Sequence, residues 1–407
     1  MKGADSGALA ILRRRNPACY ALGRLCGTLA WQMLAVGVGW HVYALTRDPL
    51  ALGLTGLSSF LPFVMLVLVG GHVADRAARR SVVMWAYGLE ALCALALLSL
   101  SAGSLQHVWP IYLLLAVFGA THAFWAPAMQ SMLPQLVRRE ELGRAVALSA
   151  MIFQITAVCG PALGGVLYLI GPRALYGVCL LLFAAAALCF GLISAPTRAA
   201  VAPAIGTTRR FLEGLSFVRH NPLLLGVMSL DLFAVLFGGV VALLPIYASD
   251  VLHTGPVGLG LLRAAPGAGA ALVGITLALR PMRSHAGSWL FGGVAVFGMC
   301  MIIFGLSRNF ALSCAALLIG GSADMISVYV RSILVQVATP DAIRGRVSAV
   351  NSMFIGASNE LGEFESGLTA SWFGAVPAVV VGGALTLACA LSWSLMFPAL
   401  RRLKHLH

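Results

Sequence analysis

Residues 49–80 read PLALGLTGLSSFLPFVMLVLVGGHVADRAARR. From Pro49 through Ala74 there is no Asp, Glu, Lys or Arg. An apolar run longer than ~18 residues is the mark of a membrane-spanning helix. The run closes in Asp75-Arg76-Ala77-Ala78-Arg79-Arg80, and a second apolar run follows at once. A transmembrane β-barrel is disfavoured, because its segments would alternate apolar and polar over ~10 residues.

The same pattern fills the chain. Its 407 residues are 60% hydrophobic and 10% charged, with a mean hydropathy of +0.92. A soluble domain carries roughly 25% charged residues. This composition cannot cover a water-facing surface, and it suits neither a disordered chain nor a collagen. At roughly 33 residues per span and turn the length gives about 12 spans. They are placed at 17–45, 51–73, 81–102, 108–134, 144–170, 174–195, 222–249, 256–279, 286–307, 310–337, 346–372 and 376–399. The fold class expected is an all-α polytopic membrane protein of two six-helix bundles. Residues 1–195 form the first bundle, 196–221 a cytoplasmic linker and 222–407 the second.

Charge placement sets the orientation. With the N-terminus inside, the inner segments and span edges hold 21 basic residues and the outer loops three, Arg47, Arg173 and Arg308. One missed span would invert every later loop and destroy this bias. Both termini are therefore expected in the cytoplasm, with the first span retained as a signal anchor. The formal charge of +13 is topological. Its short Arg clusters between apolar runs do not form a nucleic-acid-binding surface. The nine cysteines lie in apolar runs without a Cys-x-x-Cys, as small packing residues do.

The linker's second half places Phe211, Leu212, Leu215 and Val218 at helical spacing, with Phe217 off the stripe. It reads as a short amphipathic helix on the inner surface or as a plain connection. The halves also repeat. Ser131-Met-Leu-Pro-Gln135 ends span four and Ser332-Ile-Leu-Val-Gln336 ends span ten, 332 − 131 = 201 residues later. Parallel repeats place a binding cavity between two bundles near the bilayer midplane, the plan of a secondary transporter.

The stretch Gly70-Gly71-His72-Val73-Ala74-Asp75-Arg76-Ala77-Ala78-Arg79-Arg80 resembles the G-x-x-x-D-R-x-x-R-R/K signature of the major facilitator superfamily. The resemblance covers the whole chain. It implies a conformational latch, in which Gly71 permits close helix approach, Asp75 accepts from a neighbouring bundle, and Arg76, Arg79 and Arg80 hold the loop inside. The corresponding loop, Arg280-Pro-Met-Arg283-Ser-His285, lacks the acid, so the latch is asymmetric. Gly160-Pro161-Ala-Leu-Gly164-Gly165 resembles the end of the motif of proton-driven exporters. Gly160, Gly164 and Gly165 give a small packing face and Pro161 a kink, while the upstream glycines of that motif are missing. Segments around Arg24, Trp31 and Gln32, around Asp231, around Arg263, and from Asn359 to Gly367 are similar to the bacterial drug and siderophore exporter branch, enterobactin-exporter-like.

An ionisable side chain inside a span costs at least ~2.5–3.5 kcal/mol at the bilayer centre and usually faces a cavity or a partner. The first half offers Arg24, Gln32, His41, Glu90, His122 and Gln130. Arg24 either faces the cavity or snorkels to the headgroups. Glu90 is open to pairing with Arg24 or with another helix. The second half offers Asp231, Arg263, Asp324, Arg331, Asn359, Glu360, Glu363 and Glu365. Glu360 and Glu363 are three apart on one helix face, and two anions there would not both stay ionised. They are the expected proton-coupling pair, with Asp231 and Asp324 as secondary candidates. Arg24, Gln32, Glu90, Arg263, Arg331 and Asn359 are the expected cavity residues. The competing reading of these charges is a structural ion-pair network.

No phosphate-cradling G-x-x-x-x-G-K-[ST] and no metal-ligand cluster is present. The function expected is proton-coupled export of a siderophore or amphipathic small molecule or drug. The energy source would be the proton gradient, without cofactor, metal or nucleic acid, by a monomer in a bacterial inner membrane. A lipid flippase, a metabolite importer or uniporter, and a non-transporting sensor or scaffold are the alternatives.

Overall fold

The computed structural model describes residues 8–101, 103, 107–194, 207–282, 284–340 and 343–403. Lys2, Arg198, Arg283, Lys404, the linker stretch 196–206 and the side chains of Asp75, Arg209 and Arg210 lie outside the described residues. Among the described residues there is no strand. With no water to satisfy backbone groups in lipid, apolar runs of this length close every hydrogen bond within the helix.

Among the described residues eleven helical stretches are long and apolar enough to cross a membrane, which makes this a multi-pass membrane protein. Spans one to six are Arg15–Thr46, Pro49–Arg76, Arg79–Leu100, Trp109–Leu136, Leu142–Ile170 and Pro172–Gly191. Span seven starts as Pro222–Gly238, and spans eight, nine and ten are Gly255–Leu279, Ala286–Leu306 and Phe310–Val337. Span twelve is Ala375–Met396. The remaining long helix, Arg344–Phe373, has 30 residues and occupies the place of span eleven. It is the least apolar of the long helices because it carries Glu360, Glu363 and Glu365.

Span seven departs from the continuous helix expected over 222–249. The α-helix stops at Gly238, Gly239 is extended, and the chain continues through short turns to a wide π-turn, Tyr247–Val251. The cause is local. Two glycines remove the side chains that would hold the helix, and Pro245 follows without an N–H. The freed Gly239 carbonyl is satisfied from span eleven, where the Ser366 hydroxyl donates to it.

The chain divides into two compact units, Met1–His41 with Ser58–Ala204, and Val42–Leu57 with Ile205–His407. In the first unit span three packs on spans four and six. In the second, span ten packs on eight and nine, nine on twelve, and seven on eleven and twelve. Both units cross their second and fourth spans through reciprocal glycines. A Cβ on Gly119 would lie 1.8 Å from the Ser59 carbonyl oxygen, and one on Gly70 would lie 2.1 Å from that of Ala123. Pro127 leaves the Ala123 carbonyl without its helical donor, so the bare Cα of Gly70 can approach it. In the second unit Gly269 meets the Leu318 carbonyl at 1.9 Å and Gly321 that of Pro266 at 2.2 Å, by the same measure. Gly119 and Gly321 are 321 − 119 = 202 residues apart, close to the repeat read from the sequence.

Thr207–His220 is a helix of the second unit that packs against span eleven. Phe211, Leu215 and Val218 turn inward as their spacing predicts, but Leu212 is 56% exposed and Phe217 packs into the core instead. The helix is tied down from one flank. Arg346 donates to Glu213 at 2.6 Å, and a Cβ on Gly214 would lie 2.7 Å from the Arg346 carbonyl oxygen.

Candidate transport cavity

Spans one, three, four and five of the first unit enclose a cavity of about 300 Å³. Arg24, Gln32, Glu90, His122 and Gln130, five of the polar residues singled out in the first half, all line it. His41 does not. Its ring nitrogen lies 3.0 Å from the Tyr176 hydroxyl, farther along span one.

The polar lining divides into anchored and unanchored groups. Glu90 is 2% exposed and accepts through Oε1 from the Thr121 hydroxyl at 2.8 Å and the Trp125 indole N–H at 3.0 Å. Thr121 and Trp125 stand one turn apart on span four and so reach the same oxygen. Of the two partners open to Glu90, the structure selects a neighbouring helix rather than Arg24. Arg24 lines the cavity, where its Nη1 donates to the Met129 sulfur at 3.3 Å, a weak acceptor for a guanidinium. Its Nε is buried without a hydrogen-bond partner, as is the Tyr87 hydroxyl.

Aromatic rings form the rest of the wall. His122 stacks on Trp125 at 4.7 Å between centroids and meets Phe63 at 5.1 Å, and Tyr87 stacks on Trp125 at 5.7 Å. Trp31 leans on Phe118 at 5.6 Å. The sequence reading passes over Tyr87, Thr121, Trp125 and Met129 as site residues. A signal for them existed. Tyr87 lies three residues before Glu90, and Thr121, Trp125 and Met129 recur every fourth residue on one face of span four. Chemically, the cavity offers a guanidinium and a phenol whose donors lack strong acceptors, one carboxyl group, and ring faces for a planar or amphipathic guest.

The exporter-like motif of span five packs on span one behind the cavity wall, to which span five itself contributes Phe153. A Cβ on Gly160 would lie 2.5 Å from Gln32 Cβ, and one on Gly164 would lie 3.0 Å from the Met33 carbonyl oxygen. Gly160, Pro161, Gly164 and Gly165 are all buried, so span five is pressed on span one beside Gln32. At the basic end of this unit, Arg79 donates to the Ser131 carbonyl at 2.8 Å and Arg80 to the Ile193 carbonyl. These bonds pin the turn after span two to the ends of spans four and six. Arg76 is exposed, Gly71 is half-buried, and its neighbour Gly70 makes the close approach to span four.

The second unit distributes its charges differently. Asp231 and Arg331 form a buried ion pair, with side chains 5% and 4% exposed. Arg331 and Asp324 share a helix, but the arginine goes to span seven, and Asp324 stays half-buried. Glu360, Glu363 and Arg263 are half-buried, and the field of Arg263 reaches Glu363. Glu363 lies against the start of span two. A Cβ on Gly56 would lie 3.1 Å from Glu363 Oε2, and one on Gly53 would lie 3.0 Å from the Gly367 Cα. Thr369 donates to Glu365 at 2.8 Å, and the exposed Asn359 amide donates to its own helix at the Ile355 carbonyl. At the neighbouring turn Arg47 donates to Ser249 and Asp250, both at 3.0 Å, and Tyr43 also donates to Asp250. Among the described residues no three His, Cys, Asp or Glu side chains cluster as a metal site would require.

A family model described as transmembrane secretion effector matches residues 6–405. The chain belongs to this family of the major facilitator superfamily. Among curated relatives, the enterobactin exporter EntS of Citrobacter koseri is 27% identical over 349 residues, covering 83% of this chain and 82% of that protein. An uncharacterized MFS-type transporter of Bacillus subtilis, YfiS, is 28% identical over 388 residues, covering 89% and 88%. Solved structures share the fold at low identity. A peptide transporter in complex with sulfate superposes with a TM-score of 0.76 at 12% identity, covering 96% of each chain. The nucleoside transporter NupG superposes with a TM-score of 0.75 at 13% identity, covering 94% of this chain and 99% of its own. The relatives with an assigned role are transporters rather than enzymes, and this chain is a major facilitator transporter.

Proposed function

We propose that this transporter exports a siderophore-like or amphipathic small molecule in exchange for protons, by alternating access, in a bacterial cytoplasmic membrane. The observation that carries the reading is the convergence of Arg24, Gln32, Glu90, His122 and Gln130 on one aromatic-walled cavity. Polar groups inside spans are costly, and a cavity that gathers five of them has a polar guest to bind. The enterobactin exporters among the relatives support the direction and the substrate class.

In this reading residues 1–195 and 222–407 are the two rocking bundles, with both termini inside, and one chain suffices as a monomer. The proton gradient supplies the energy without a cofactor. The turn of Gly71, Asp75, Arg76, Arg79 and Arg80 acts as the conformational latch. Glu360 and Glu363 load and release protons, with Asp324 as a further acid and Arg263 tuning them. Asp231, bonded to Arg331, exchanges a proton only when that pair opens. Asn359 lies one residue before Glu360 as a substrate contact.

Inside-out vesicles with an acidic lumen test the proposal. Siderophores and lipophilic cations are added in turn while a pH dye reports the lumen. Alkalinisation provoked by one compound, and lost when Glu360→Gln and Glu363→Gln are combined, is the expected result. Full retained exchange in that variant would remove these acids from the coupling. Silence toward every compound, with folded protein present, would set lipid flipping or uniport ahead of antiport.

A further inference from the structure

Among the described residues two carboxylates, Glu90 and Asp231, are nearly inaccessible, and their surroundings are opposite. Asp231 has a guanidinium bonded to it. Glu90 has only neutral donors, Thr121 and Trp125, and both serve Oε1. Among the described residues Oε2 has no hydrogen-bond partner, yet it is not sealed in the way that the Arg24 Nε and the Tyr87 hydroxyl are. Glu90 is therefore held by one oxygen and presents the other to a cavity of about 300 Å³. At about 30 Å³ per molecule that space admits roughly ten waters.

The titratable groups around it are few. Span one contributes Arg24, span three Tyr87 and Cys93, and span four His122, while span five contributes the apolar Phe153. Arg24 is the one permanent cation among these, and its Nη1 donates to the Met129 sulfur. An ionised carboxylate out of water and without a bonded cation costs several kcal/mol, whereas its protonated form is tolerated. Protonation at Oε2 leaves both bonds to Oε1 in place. Deprotonation returns a charge that Arg24, a cationic substrate group or cavity water must meet.

We propose that Glu90 is a proton-exchange site of the first unit, taking up and releasing a proton at Oε2 through the cavity. The O–H bond forms with a proton from cavity water and breaks back to it, with no other reactant. The proposal deepens the transport reading by adding a proton site in the half of the chain opposite Glu360 and Glu363. Glu90 and the substrate then share one cavity, so the occupancy of each changes the charge the other meets.

The test uses the purified full chain in nanodiscs without substrate, so it stands apart from any transport result. Trp125 donates to Glu90 and reports its charge through fluorescence. Wild-type protein should show a pH-dependent intensity transition that Trp125→Phe diminishes and Glu90→Gln abolishes. Gln keeps an amide oxygen for Thr121 and Trp125, so the fold is retained, and an unchanged melting temperature checks this. His122→Asn should keep the transition, which separates Glu90 from the imidazole stacked on Trp125. In infrared difference spectra across the same pH step, a protonated-carboxyl carbonyl band should be present in wild type and missing in Glu90→Gln. A wild-type protein with neither transition nor band, or a Glu90→Gln variant that keeps both, would overturn the proposal. A protein that titrates at Glu90 but moves no compound would support this site and sink the export reading.

Discussion

Asp231 and Arg331 lie 100 residues apart in sequence and form a buried pair. Each was visible in the sequence as a charge inside a span, but their partnership was not, because spacing along one helix says nothing of the helix packed beside it. The pair sets a clear expectation. Arg331→Ala or Asp231→Ala leaves a buried charge unmatched and should cost about 3–5 kcal/mol. The double change Asp231→Leu with Arg331→Met removes both charges and should recover most of that loss. Melting temperatures of the purified variants decide it. A double variant as unstable as the singles would mean that the pair contributes specific structure beyond charge matching. Glu90 shows the same limit from the other side. Its place in a span was legible, and its choice of Thr121 and Trp125 over Arg24 needed three dimensions.

At the scale of elements, spans two and four cross where Gly119 meets Ser59 and Gly70 meets Ala123. A methyl group at Gly119 has no room, since its nearest neighbour is backbone. Gly119→Ala should destabilise the protein by about 1–3 kcal/mol through overpacking. Gly88→Ala in span three is the control, because no atom lies within 4 Å of a Cβ there, and it should be neutral or mildly stabilising. Thermal unfolding of the two variants side by side checks the contrast, and equal melting temperatures would refute the tight crossing. Helix positions were largely legible, since apolar runs and basic turns mark them. The break of span seven was not. Gly238, Gly239 and Pro245 are present in the sequence, but glycine and proline are common in membrane helices, and only Ser366 opposite Gly239 shows why this pair ends one.

For the whole molecule, the repeat read from Ser131–Gln135 and Ser332–Gln336 extends to the way each unit is stitched, glycine against carbonyl at equivalent crossings. What the repeat does not contain is the assignment of Val42–Leu57 to the second unit, against span eleven at Gly53–Gly367 and Gly56–Glu363. Chain order alone would leave that segment with its own bundle. Span eleven has a consequence of another kind, for biosynthesis. An acidic residue at a helix centre costs about 2.5–3.5 kcal/mol on the insertion scale, and this helix carries three acids in its second half. Fused alone into a host protein, residues 344–373 should slip through the translocon, whereas residues 310–337 should be retained. Glycosylation of flanking acceptor sites would distinguish the two, and efficient retention of 344–373 would contradict the expectation. The neighbours that make the segment tolerable, span seven at Gly239 and Leu236 and the span two glycines, are all synthesised before it. The nascent chain must therefore have its receptor for span eleven assembled in the membrane before the ribosome delivers that helix.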